Sequence, residues 1–257
     1  MIPIRDENPT LRTPIVTIGL LVALGVVWLF VQSAGLDRTT LAASVCNLGL
    51  VAGELTGRAA LGTAVRVAPG LVCIVDAEPI NWLTPLTSMF LHGGWGHLLG
   101  NAVFLWVFGK NVEDSMTRPR YLAFYLLCGL GAAALQVAMQ PASPVPMVGA
   151  SGAIAGVLGG YLVLYPRVRV HVLVPLPLFW PIVRIPAYLM LLWWIGLQLL
   201  TALPQLTTMD QSVSAGVAVF AHIGGFFAGA ALVKAFARPA RVAARAAIRH
   251  ELHPGHA

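Results

Sequence analysis

Six apolar stretches dominate this sequence, at about 14–34, 94–109, 121–139, 151–165, 186–204 and 216–237. Several approach the ~20 residues that a helix needs to cross a bilayer. The balance of residues agrees, with 58% hydrophobic and only 10% charged, against ~25% charged in ordinary soluble domains. The expected fold class is an all-α polytopic membrane protein with six transmembrane helices. The stretch at 151–165 is short, and Pro144 and Pro146 ahead of it predict a helix that begins below the membrane surface. The first stretch ends in the small residues Ser33, Ala34 and Gly35. Its apolar core of roughly 20 residues exceeds the 7–15 of a secretory signal, so a retained anchor is expected. Asp6 and Glu7 near the start speak against a mitochondrial-type leader.

Basic residues set the orientation. With the N-terminus in the cytoplasm, six spans return the C-terminus there, and 13 of the 16 Lys and Arg then fall on the cytoplasmic side. Only Arg38, Arg58 and Arg66 remain outside, all in a long first loop at about 35–82. The net charge of +6 is thus a topology signal, and no basic and aromatic module accompanies it that would bind nucleic acid. Residues 1–237 are expected to form the membrane domain and 238–257 a basic cytoplasmic tail, either solvated or lying on anionic lipid. Short termini and the absence of a leader lead to the expectation of a bacterial inner membrane.

The outer loop mixes Gly, Pro and apolar residues, and Trp82 suits the membrane interface. It holds Cys46 and Cys73, where an oxidising compartment permits a disulfide without requiring one. Cys128 falls in the third span and reads as a small core residue. The stretch 166–185 carries Pro175, Pro177 and Pro181, so continuous helix is not expected there. No internal repeat is evident, which counts against an inverted-repeat transporter.

Polar groups inside the spans demand a reason. The second span holds His92, His97 and Asn101, and the sixth holds His222 with no other ionisable group until Lys234. His97 and Asn101 are four apart and so project from one helix face. A single intramembrane histidine is adequately explained by an interhelical bond of ~0.6 kcal/mol. A serine at the head of the fourth span, Ser151, is by itself explained as a packing residue that bonds a backbone carbonyl. Ser, two His and Asn in the outer halves of their spans call for more. Gly152, Gly156 and Gly160 form a flat stripe on the fourth span, and Ala221, Gly225 and Gly229 form another on the sixth. Such stripes let helix backbones approach closely, which would bring the Ser151 hydroxyl within reach of His222. A serine becomes a nucleophile when an adjacent base takes its proton. His97 and Asn101 would then be donors aimed at an oxyanion, joined by backbone N–H groups of the helix start. Other hydrolase templates fit worse. Ala153 stands where the strand-borne nucleophile elbow G-x-S-x-G needs its second glycine, and the terminal HELHPGH lacks the zincin spacing.

The segments TSMFLHGGWGHLLGN, GASG and AHIGG, in that order on the second, fourth and sixth spans, resemble the rhomboid family of intramembrane serine proteases. The resemblance covers nearly the whole chain. It implies a six-helix fold with a catalytic dyad of Ser151 and His222 and no third acid. It implies an oxyanion hole of His97, Asn101 and the Ser151 N–H, with His92, Gly149 and Gly152 in support. The implied reaction is cleavage of membrane-spanning helices near their outer ends, through an acyl-enzyme. Substrate transmembrane proteins and the bilayer are the expected partners, with no metal and no organic cofactor. The fifth span and the 204–215 loop resemble the family's lateral gate and cap. Two features depart from the pattern. Ala155 stands four residues after the serine, where some members stack an aromatic on the histidine, so Phe220 or Phe226 is the expected support for His222. The Trp-Arg pair of some first loops is absent. Two rivals remain, a silent relative that binds helices without cutting, and a small transporter or channel with His97, Asn101 and His222 lining a polar path.

Overall fold

The computed structural model describes residues 1–68, 71–207 and 218–252. All six apolar segments are helical within those bounds. Helix α1 spans Ile15–Val26 and continues through a π-helical turn at Val27–Val31. Helix α2, Arg38–Leu48, lies in the first loop. Helix α3, Trp95–Phe104, runs on through a π-helical turn at Leu105–Gly109 into Lys110–Asp114, beyond the expected end of that span. Then follow α4 (Arg118–Met139), α5 (Ser151–Leu164), α6 (Ala187–Thr207) and α7 (Val219–Phe236). Among the described residues, Arg118–Met139, Ala187–Gln205 and Val219–Phe236 are long and apolar enough to cross a membrane, while Ile15–Val31 and Ser151–Leu164 are shorter apolar helices.

Helix α5 is the centre of the molecule, buried on every side from Gly152 to Tyr161. A helix apolar all round has no solvent face to present, and its glycines explain how neighbours close over it. A Cβ on Gly225 would fall on the Gly152 carbonyl oxygen, and one on Gly229 would fall on the Gly156 carbonyl oxygen. The expected stripes therefore do meet, backbone against backbone, and run parallel. The stripe is broader than expected, because Gly159 abuts the Phe226 carbonyl in the same way while Gly160 faces Phe124 and Val233.

The connections are not all helical or irregular, and here the all-α expectation needs correction. Strands β1 (Ile2–Asp6), β6 (Arg169–Leu173) and β7 (Ile182–Pro186) form an antiparallel sheet in the order β1-β6-β7. Two small ribbons pair β2 (Leu50–Val51) with β5 (Pro146–Met147), and β3 (Ala64–Ala68) with β4 (Leu71–Ile74). The prolines of 166–185 gather mostly at the turn between β6 and β7, which leaves the flanking residues free to pair. Cys46 and Cys73 form a disulfide that ties α2 to β4. Buried carboxylates knit the other end. Glu113 accepts from the Val16 and Thr17 N–H groups at 2.9 and 2.7 Å, a negative charge at the first-turn donors of α1, which have no intrahelical acceptor. Asp6 accepts from Tyr161 Oη at 2.6 Å and Asn111 Nδ2 at 2.5 Å. Residues Pro239–Leu252, expected as a tail, form helix α8, with Arg245 wholly buried against Asp114. Residues 208–217, which include most of the expected cap and the first two residues of the sixth span, lie outside the described residues, as do 253–257.

Candidate active site

Two helix starts build the site. The chain reaches α5 through Gly149, whose φ of +130° suits glycine and whose N–H donates to the Ser88 carbonyl at 2.8 Å. A side chain there would also strike the His97 ring, 2.7 Å from the position of a Cβ. Ser151 follows in the first turn of α5, where backbone N–H groups have no intrahelical acceptor. His222 lies in the first turn of α7. The residue before it, Ala221, donates its N–H to Gln136 Oε1 at 3.1 Å, so α4 caps the helix that carries the histidine. With the glycine stripes interlocked, His222 Nε2 and Ser151 Oγ stand 2.8 Å apart.

Helix α3 supplies the opposing wall. Gly93 N–H donates to His97 Nδ1 at 3.4 Å. An Nδ1 that accepts leaves the proton on Nε2, the nitrogen that lies against Gly149 beside Ser151. One turn later Asn101 is buried, and its Nδ2 has no partner among the described residues. Ser88, His97, Asn101, Ser151, Trp194 and His222 all line one cavity of about 550 Å³, within the ~300–1,000 Å³ typical of ligand pockets. His92 does not line it. Its ring packs edge-on behind His97, centroids 5.1 Å apart, and its backbone is clamped by Gln32, which donates to the His92 carbonyl and accepts its N–H, both at 2.8 Å. Gly149 and Gly152 sit at the cavity edge, the first making room for His97 and the second for Ala132 of α4.

Every side chain expected at the site is therefore gathered at one end of the bundle. The expected support for His222 is corrected. Its ring neighbour is Trp194 of α6, centroids 5.6 Å apart at 40°, and Phe226 packs on Trp194 at 6.2 Å. Gln198, one turn beyond Trp194, meets His222 Nδ1 at 2.9 Å. Gln198, Gln136 and Gln32 were not anticipated as site residues. Their signal was present, since an amide inside an apolar segment needs a partner, but nothing local names that partner.

A model of the Rhomboid domain matches residues 79–239, well over half of the chain. Among curated relatives, Rhomboid protease GluP of Bacillus subtilis is 40% identical over 82 residues, which is 32% of this chain and 16% of that protein. Rhomboid-like protein 11, chloroplastic, of Arabidopsis thaliana is 39% identical over 75 residues, 29% of this chain and 26% of the relative. RHOMBOID-like protein 5 of the same plant is 34% identical over 77 residues, 30% and 25% of the two chains. The aligned stretches thus span about a quarter or less of these relatives' own lengths.

Proposed function

The chain belongs to the rhomboid family, and from that premise we propose that it is an intramembrane serine endopeptidase working through Ser151 and His222. The observation that carries this reading is the 2.8 Å contact between His222 Nε2 and Ser151 Oγ. In the reaction, His222 Nε2 takes the hydroxyl proton as Ser151 Oγ attacks the scissile carbonyl. Charge on the carbonyl oxygen is met by His97 Nε2–H, Asn101 Nδ2–H and the Ser151 N–H. Each donor of this kind contributes about 2.7–4 kcal/mol in other serine hydrolases. The imidazolium returns its proton to the leaving amine, and an acyl-enzyme remains on Ser151. Water then attacks with His222 as base again, and the serine is released. His222 thus carries every proton moved, and the three donors only stabilise the oxyanion.

The reading includes an architecture of six spans in residues 1–237, the outer loop 35–82 facing an oxidising compartment. The Cys46–Cys73 disulfide supports that side, and the excess of Lys and Arg on the opposite side supports cytoplasmic termini. A bacterial inner membrane satisfies both. The substrates are membrane proteins whose spanning helices unwind near their outer ends to reach a serine set at the start of a short helix. The test is cleavage of a reporter transmembrane segment in proteoliposomes. Wild type yields two fragments, and Ser151→Ala yields none while still co-purifying with the reporter. Binding by both proteins with cutting by neither would replace the protease with a helix-binding relative.

A further inference from the structure

We propose that Gln198 is a positioning residue for the base, fixing the tautomer and orientation of His222 from a helix that carries neither member of the dyad. The inference rests on the dyad reading above. An imidazole that takes a proton on Nε2 must hold its own proton on Nδ1, and in an apolar bundle that N–H needs an acceptor. Gln198 Oε1 stands 2.9 Å from Nδ1, and among the described residues no carboxylate is bonded to this ring. The amide oxygen only accepts. Its bond to Nδ1 therefore selects the tautomer whose Nε2 lone pair faces Ser151 Oγ at 2.8 Å.

The ring plane is held from the same helix. Trp194 and Gln198 are four residues apart, on one face of α6. The indole lies tilted against the His222 ring, centroids 5.6 Å apart, and itself leans on Phe226, one turn along α7 from the histidine. Ala155 of α5 lines the same cavity as Trp194 and His222. A single helix face thus supplies both the in-plane bond and the ring contact, and a third acid is not needed to orient the base. In an apolar site a neutral amide also leaves no additional charge to be desolvated.

The experiment uses the full chain in detergent, with wild type, Ser151→Ala, Gln198→Met, Gln198→Glu and Gln198→Asn. Readouts are steady-state cleavage of a transmembrane reporter peptide, labelling of Ser151 by a fluorophosphonate, and the thermal midpoint. Gln198→Met keeps length and loses the acceptor. It should lower kcat by about 10- to 100-fold, by analogy with the loss when the outer-shell hydrogen-bond partner of a metal-bound histidine is removed. KM and thermal midpoint should stay near wild type. Gln198→Glu, which restores an acceptor, should recover most of the rate. Gln198→Asn, one methylene short, should fall between, and it carries the same expectation if the methionine variant folds poorly. Wild-type kcat in both Gln198→Met and Gln198→Asn overturns the inference, as does a loss that Gln198→Glu does not repair. If wild type itself is not labelled at Ser151, the dyad falls and this inference with it, whereas labelled wild type with indifferent Gln198 variants removes the positioning role alone.

Discussion

Asn101 Nδ2 is a buried donor without an acceptor among the described residues, an arrangement that costs about 1–3 kcal/mol in a folded protein. It makes sense where a reacting oxygen completes it. Asn101→Ala should therefore lower kcat by about 10²–10³ in the reporter cleavage assay. Its thermal midpoint should stay level or rise, because a desolvated donor has been removed. Unchanged kcat would take Asn101 out of the oxyanion hole. At this scale much was legible. His97 and Asn101 share a helix face by their spacing alone, and a histidine in an apolar helix advertises a partner. Gln198 was not legible, because its neighbours in sequence are leucines and its partner lies on another helix. Ala155 pointed to a missing aromatic, yet only the packed structure shows Trp194 of α6 beside the His222 ring.

Helix against helix, the proposed dyad depends on how closely α5 and α7 approach. Gly225 and Gly229 press on the carbonyl oxygens of Gly152 and Gly156, so neither position admits a methyl group without separating the helices. Gly225→Ala should destabilise the protein by about 1–3 kcal/mol, the range for overpacked cores, and should cost labelling of Ser151 as the contact to His222 opens. Gly196→Ala on α6, where a Cβ would meet nothing within 4 Å, is the matched control and should leave both unchanged. Thermal unfolding in detergent and labelling rates measure the pair. Equal behaviour of the two variants would contradict the interlocking. The stripes could be read from a four-residue spacing that any helix turns into a face. The sheet could not, because β1 pairs with β6 across more than 160 residues and its strands are only five residues long. Short strands of mixed polarity carry little periodic signal, and prolines drew attention to the turn between β6 and β7 instead.

Across the whole molecule, the proposed chemistry and the anchorage sit at opposite ends. The cavity lies at the start of α5. At the other end, Arg245 of α8 (Pro239–Leu252) forms an ion pair with Asp114 Oδ2 and donates to the Asn111 carbonyl and Tyr165 Oη, each at 2.6 Å. Arg12 joins the same Asp114 at 2.8 Å. Breaking a buried ion pair by removing one partner costs about 3–5 kcal/mol. Arg245→Ala should therefore release α8, seen as faster hydrogen exchange across residues 239–252, while Ser151 labelling persists. Protection unchanged in that helix would contradict the anchor. Composition alone marked this segment as basic, and its burial was hidden because the residues that receive Arg245 come from distant parts of the chain. The central claim concerns the other end, that His222 activates Ser151, and reaction of the purified protein with a fluorophosphonate tests it most directly. The account predicts a single adduct, mapped by mass spectrometry to Ser151, formed by wild type and lost in both Ser151→Ala and His222→Ala. A folded wild type that forms no adduct, or a His222→Ala protein that labels as fast as wild type, would contradict it.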